Sequence, residues 1–514
     1  MLLAGTRHRL APLLSALSLI LLLPIALVAG EPATLVGRVQ EHRLANGLTV
    51  LALHRPGAPT VSLQMTFLAG GVDEPSGRTG MAHLLEHLLF KGTTALGTRD
   101  WSREKPLLAA MEEVGTALDE EVRRTGSGEA APDPAKVAAL RARLAQLQEE
   151  HRPLVVKDEI DALYARVGAT GFNASTAADL TSYTVSLPSN RLELWARIES
   201  ERMADPVLRE YYLERDVVAE ERRQRSDADP SGRLYEVLLS TAFAAHPYGR
   251  PVIGWPSDVE TLELRDTREF FQTYYGPNNA VVAAVGDVDP AAFFALVDRT
   301  FGPLPAVPAP RRLITEEPLQ PGPRRVEVEF DAEPRLIVAY HKPTLPHRDD
   351  YVFDVIESLL AGGRSSRLVR ELVDRRRVAS SVDAVNGTPG ARYPNLFAVF
   401  VTPAGGTAPA EVEAALEAEL RRLAEEPPSR EELDRVTRQL EASRVKRLIS
   451  NRTLAGQLAY FQAVAGDWRY VEEHPKVLAT VTPEEVSRVA SRYFTAENRT
   501  VALLRPPERA EGAP

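Results

Sequence analysis

Two pairs of segments in this 514-residue chain read as copies of each other, and a duplication restricts the fold more than any single motif. Tyr274-Tyr275-Gly276-Pro277-Asn278-Asn279-Ala280-Val281-Val282 is matched 219 positions later by Tyr493-Phe494-Thr495-Ala496-Glu497-Asn498-Arg499-Thr500-Val501. Upstream, Glu86-His87-Leu88-Leu89-Phe90-Lys91-Gly92 lines up with Glu357-Ser358-Leu359-Leu360-Ala361-Gly362-Gly363 at an offset of 271. Both offsets follow from one duplicated domain whose first copy carries about 52 extra residues between the anchors. A chain of this length also exceeds what one hydrophobic core serves.

The extra residues declare themselves. Leu108, Met111, Val114 and Leu118 recur at spacings of three and four, as do Val137, Leu140, Leu144 and Leu147 after a Gly/Ser/Pro break at 125–134. This predicts an αα-hairpin inserted at about 101–165, ahead of Gly171-Phe172-Asn173-Ala174-Ser175-Thr176. Its apolar stripe reads as packing inside the hairpin rather than a partner site. A proline-rich stretch at 302–323 reads as the linker between a first domain at 35–301 and a second at 324–506, with a tail at 507–514. Strand-like alternation opens each half, at Thr60-Val61-Ser62-Leu63-Gln64-Met65 and Arg335-Leu336-Ile337-Val338-Ala339-Tyr340.

Within the first copy lies His83-Leu84-Leu85-Glu86-His87. On a helix His83 and His87 stand one turn apart and aim both imidazoles at one point, the bite that zinc takes from two nitrogen ligands. Glu86 lies between them in angle, placed to take a proton from a water at the metal. This H-x-x-E-H order reverses the commoner H-E-x-x-H and marks a hydrolytic site. A pair of core histidines fits badly beside an ionisable Glu set among leucines. The second copy reads Asp354-x-x-Glu357-Ser358, so it has lost both imidazoles and should hold no zinc.

The chain has no cysteine, which excludes disulfides, thiolate ligands and a cysteine nucleophile, and leaves His and carboxylates to hold a metal. A net charge of −10 gives no electrostatic case for nucleic acid. Arg7 and Arg9 precede an apolar run at 10–28 that ends in Ala29-Gly30, the pattern of a signal peptide at 1–30. A periplasmic or secreted protein is expected, the alternative being an inner-membrane anchor if that segment stays uncleaved.

A catalytic zinc needs a third protein ligand and an open position. Glu214-Arg215-Asp216-Val217-Val218-Ala219-Glu220-Glu221 is a helical run in which Glu214 and Glu221, seven apart, share a face while Glu220 points elsewhere. One of the two can ligate and the other can support a ligand imidazole from behind.

These residues together carry a resemblance. His83-Leu84-Leu85-Glu86-His87 with Phe90-Lys91-Gly92-Thr93, then Asn173-Ala174-x-Thr176, then Glu214 to Glu221, then His246-Pro247-Tyr248-Gly249, resembles the pitrilysin–insulinase family of zinc metallopeptidases. Mitochondrial processing peptidases, whose beta subunit this chain is similar to, and many bacterial two-domain members belong there. The resemblance implies one Zn2+ per chain held by His83, His87 and Glu221, with Glu86 as general base and Glu214 behind a ligand imidazole. It implies an α+β fold of two similar α/β sandwich domains, each an antiparallel-rich sheet with helices, enclosing a substrate chamber. It makes Asn173 and Ala174 part of an edge strand that pairs with peptide backbone, by β-augmentation. His246 to Gly249 reads as a structural turn. Zinc rather than another divalent ion is the family's expectation, since nitrogen and carboxylate ligands alone admit several metals.

One departure bears on partners. Members that work alone carry an Arg and, seven residues on, a Tyr in the second domain after a Ser-Ser-Arg-Leu helix start. Here Ser365-Ser366-Arg367-Leu368 is followed by Val373 and Ser380, which cannot donate as Arg and Tyr do. The expectation is a heterodimer with a zinc-free homologue supplying that pair, otherwise a homodimer, acting on peptides or unfolded segments. The alternative is a non-catalytic binding or assembly scaffold of the same fold.

Overall fold

The computed structural model describes residues 34–124, 131–311 and 313–507; the segment read as a signal peptide and the end of the tail lie outside them. The first sheet is built from β1 (Gln40–Arg43), β2 (Thr49–His54), β3 (Thr60–Phe67), β4 (Thr170–Thr176), β5 (Thr181–Pro188) and β6 (Ala280–Gly286), in the order β1-β2-β6-β3-β5-β4. The second holds β7 (Arg324–Glu329), β8 (Arg335–Lys342), β9 (Ala379–Thr388), β10 (Asn395–Pro403) and β11 (Arg499–Arg505), in the order β7-β11-β8-β10-β9.

Without β1 the two sheets have one topology. β2 with β6, and β7 with β11, are the parallel pairs, and every other ladder is antiparallel. The repeat reaches individual hydrogen bonds. Asn279 Nδ2 donates to the carbonyls of Leu68 and Tyr274, and Asn498 Nδ2 to those of His341 and Tyr493. The fold is thus a mixed α/β architecture of two related, antiparallel-rich sheets with helices.

Each half lends a helix to the other. The inner face of the first sheet packs on Met81–Leu88 and its neighbours, while its outer face receives Asn451–Ala465 from the second half. Leu454, Ala455, Leu458 and Ala459 of that helix lie on Leu51, Leu53, Val281, Ala283 and Val285. In return Pro230–Ala242 of the first half covers the second sheet, setting Leu234, Leu238, Leu239 and Ala242 against Ile337, Ala339, Leu396, Ala398 and Leu504. Burial on both faces is why β6 reads Ala-Val-Val-Ala-Ala-Val-Gly without alternation. The packing units therefore do not follow the boundary drawn along the chain. The proline-rich stretch between them is strapped down: Glu317 accepts the backbone N–H groups of Ala244, Ala245 and His246, and Asn278 exchanges two hydrogen bonds with the Val307 backbone.

Helices Trp101–Arg123 and Pro134–His151, which fall between the His83 helix and β4 in the chain, lie against each other. Buried ion pairs fix them to the rest of the first half, Glu104 with Arg209 and Asp119 with Arg215, while a hydrogen bond between Glu104 and His151 ties the two hairpin helices together. Among the described residues no helix is long and apolar enough to cross a membrane.

Candidate active site

Met81–Leu88 forms because Leu84, Leu85 and Leu88 bury one face, and because its start is capped from outside. Gly80 enters at a φ of 88°, tight against the Ile253 carbonyl, where a side chain has no room. Glycine has no side chain to cap the helix, so the buried Glu74 carboxyl group accepts from Gly80 N at 3.0 Å and Ala82 N at 2.7 Å. Gly92, at a φ of 97°, closes the following turn.

On this helix His83 is buried, and Glu86 and His87 are half-buried. The helix Tyr211–Arg222 runs beside it and brings Glu221 Oε2 to 3.8 Å from His83 Nε2 and 3.4 Å from His87 Nε2. These spacings fit one tetrahedral ion, whose bonds of about 2.1 Å hold ligand atoms roughly 3.4 Å apart. Among the described residues this trio is the one group of three His or carboxylate side chains whose donor atoms, within 4.8 Å of one another, could hold a metal. Burial, with the His87 and Arg225 charges, lowers the His83 pKa to about 3, which keeps the ring neutral as a ligand must be.

Glu214, two turns before Glu221, pairs with His87 Nδ1 at 3.3 Å and takes Lys91 Nζ at 2.6 Å. Burial works against the Glu214 charge, but the bonds to His87 and Lys91 outweigh it and hold its pKa below the ordinary value. Burial likewise opposes a charge on His87, and is overcome by the Glu214 hydrogen bond and the nearby carboxylates, so its pKa is raised. Glu220 points to solvent and pairs with Arg223.

Glu86 receives the Thr176 hydroxyl at 2.5 Å. Its pKa is raised, burial outweighing the Thr176 bond and the His87 charge. Thr176 ends β4, the last strand of the sheet, whose outer edge meets no strand among the described residues. Phe172, Ala174 and Thr176 turn inward, with Phe172 packed on Phe90 and Tyr164, while Asn173 and Ser175 are exposed. A bulge at Gly171 and Phe172 shifts the register so that Asn173 stands opposite Thr184.

The structure thus brings together His83, Glu86, His87, Glu214 and Glu221, with the Asn173–Ala174 edge beside them. Sequence reasoning gave no role to three groups that touch them. Lys91 and Thr176 sit inside the motifs at telling spacings, whereas Arg225, whose Nη2 lies 2.8 Å from Glu221 Oε1, sits in a π-helical turn that no pattern announces. His246 lies apart from the trio, its Nδ1 accepting from Tyr248 N in a turn that meets Tyr393 of the second half. In the second copy, Asp354 pairs with His474, and Asn386 bonds both Asp354 and Glu357.

Residues 49–119 and 124–255 match the family described as insulinase, peptidase family M16, and residues 261–440 match the peptidase M16 inactive domain. A protein named zinc protease PqqE from Helicobacter pylori is 29% identical over 478 residues, 90% of this chain and 92% of that one. The probable mitochondrial-processing peptidase subunit beta of Schizosaccharomyces pombe is 24% identical, over 93% of each chain. Among solved structures, a protease from Helicobacter pylori superposes with a TM-score of 0.75 at 26% identity, covering 91% of this chain and all of that one. The periplasmic protease PqqL from Escherichia coli shares the fold at a TM-score of 0.67 and 18% identity, with 92% of this chain covering 48% of it. The chain belongs to peptidase family M16, the insulinase or pitrilysin family, a family of metallopeptidase type in which relatives are named zinc proteases.

Proposed function

We propose that this chain is the zinc-bearing subunit of an exported endopeptidase that cuts peptides or unfolded protein segments. The observation that carries this reading is the convergence of His83, His87 and Glu221 at ligand spacing, with the Glu86 carboxylate held beside them by Thr176. A zinc held there by His83, His87 and Glu221 would polarise the scissile carbonyl and acidify an attacking water. Glu86 takes the proton of that water and passes it to the leaving amine. Thr176 occupies one carboxylate oxygen of Glu86 and leaves the other for the transfer. Burial raises the pKa of Glu86, the direction that suits a group that must accept a proton and release it again. Glu214, kept ionised by Lys91, orients His87. The outer edge of β4 at Asn173 and Ala174 offers backbone groups to an extended peptide, which ties recognition to chain conformation more than to side chains.

The need for a partner rests on the opposite wall. Val373 packs against the second core and the Ser380 hydroxyl donates to the Thr402 carbonyl, so neither position presents a donor for a substrate carbonyl. A homologous zinc-free subunit carrying Arg and Tyr would supply it, in line with a relative named as a subunit and a periplasmic structural neighbour about twice as long. Export rests on the signal-like segment at 1–30. Two measurements test the proposal. Elemental analysis should find one zinc per chain in the wild type and less than a tenth in His87→Ala; a metal-free wild type points instead to a binding scaffold. Peptide cleavage should rise severalfold when an exported zinc-free homologue is added, and full turnover by the lone chain would remove the heterodimer.

A further inference from the structure

The turn joining β9 and β10 reaches out of the second half into the first. Asp179, in the turn between β4 and β5, is 4% exposed, and its carboxylate accepts from Ala391 N at 2.7 Å, Arg392 N at 3.0 Å and the Tyr248 hydroxyl at 2.5 Å. Gly390 fits there because any Cβ would overlap the same carboxylate and hydroxyl. Arg392 then sends one guanidinium nitrogen to both oxygens of Asp73, at 3.1 Å each. Charge-assisted bonds of this kind, here with the Asp73 carboxylate buried and the Arg392 guanidinium half-buried, are stronger than neutral ones.

What Arg392 and Asp179 hold leads straight to the reacting groups. Asp73 accepts from Gly70 N, and its neighbours are stitched to the β4–β5 turn through Gly71 N to the Ala177 carbonyl and Val72 N to the Ala178 carbonyl. The next residue, Glu74, caps the His83 helix through Gly80 N and Ala82 N. Asp179 lies three residues past Thr176, whose hydroxyl holds Glu86. One turn of the second half therefore anchors both segments that place the candidate base, the metal-binding helix from its start and β4 from its end.

We propose that the 390–393 turn is a clasp that positions the metal helix against β4, with Arg392 and Asp73 as its positioning pair. This rests on the peptidase reading for its kinetic consequence, but not for its mechanical one. The second half then takes part in placing the candidate base.

The test uses the zinc-loaded full chain carrying Arg392→Ala, with Arg392→Lys as the conservative variant. Amide hydrogen exchange should accelerate at least tenfold in Met81–Leu88 and in 177–181, and stay unchanged in Asn451–Ala465. For peptide cleavage kcat should fall at least tenfold while KM and zinc stoichiometry hold, and Arg392→Lys should recover most of both losses. Should Arg392→Ala not fold, Asp73→Asn takes its place with the same expected pattern. Exchange in the metal helix equal to the wild type, or loosening spread evenly over the molecule, overturns the clasp. A wild-type chain that binds zinc and cleaves nothing even with the zinc-free homologue added would instead overturn the peptidase reading, leaving the exchange data to decide the clasp.

Discussion

At the residue scale, the candidate centre depends on keeping carboxylates charged where burial favours protonation. The bonds from His87 and Lys91 do this for Glu214, and the first of them also holds the His87 ring. Replacing such a supporting carboxylate usually costs about 10–100-fold in metal affinity. Glu214→Gln should therefore weaken zinc binding by that factor in competition with a chelator, and an unchanged affinity would mean that His87 needs no support. Glu74 presents the opposite case. Burial outweighs its two backbone donors and lifts its pKa from 4.5 to about 8. Between those values the folded form keeps a proton that the unfolded chain releases, so this group's contribution to stability falls as pH rises. In Glu74→Gln that slope is gone. Thermal scans of metal-free protein at pH 5.5 and pH 8 should show the variant's melting temperature gaining on the wild type's at the higher pH; a constant difference contradicts the assignment.

Elements show how the inserted hairpin reaches the centre. Gly115 of Trp101–Arg123 lies flush against the Tyr212 ring, and Tyr212 belongs to the helix that carries Glu214 and Glu221. A methyl group there must displace a buried ring, and overpacking of this kind costs about 1–3 kcal/mol. Gly115→Ala should lower the melting temperature despite alanine's better helix propensity; a rise would show that the hairpin packs loosely. The hairpin, the His83 helix and the strands at Thr60 and Arg335 were legible because each repeats apolar residues at its own period, but neither strand opens its half, since β1 and β2 precede the first and β7 the second. Glu86, His83 and His87 were legible from a five-residue motif. The choice of Glu221 over Glu214 as the inward oxygen donor was not a matter of periodicity, since both lie on one face; only the resemblance separated them. Arg225 and the Asp73–Arg392 pair were invisible because their partners come from loops hundreds of residues away or from an irregular helical turn.

Over the whole molecule, the duplication was readable from two short anchors, yet the exchange of helices was not. A stripe such as Leu454, Leu458 states that a face is buried, without naming the sheet that buries it. The consequence is mechanical coupling: neither half keeps both sheet faces covered without the other. The described chain should accordingly unfold in one calorimetric transition. Leu458→Ala, a truncation in a second-half helix, should cost about 2–5 kcal/mol and loosen amides of β3 and β6 in the first sheet. Two separated transitions, or loosening confined to the second half, would contradict that coupling.

The central claim is that Glu86 works as the base beside a zinc held by His83, His87 and Glu221. Turnover of a fluorogenic peptide by Glu86→Gln, with zinc measured on the same sample, tests it most directly. The expected result is one zinc per chain and a loss of about 10²–10⁴-fold in kcat. Wild-type turnover by the zinc-loaded variant would contradict it.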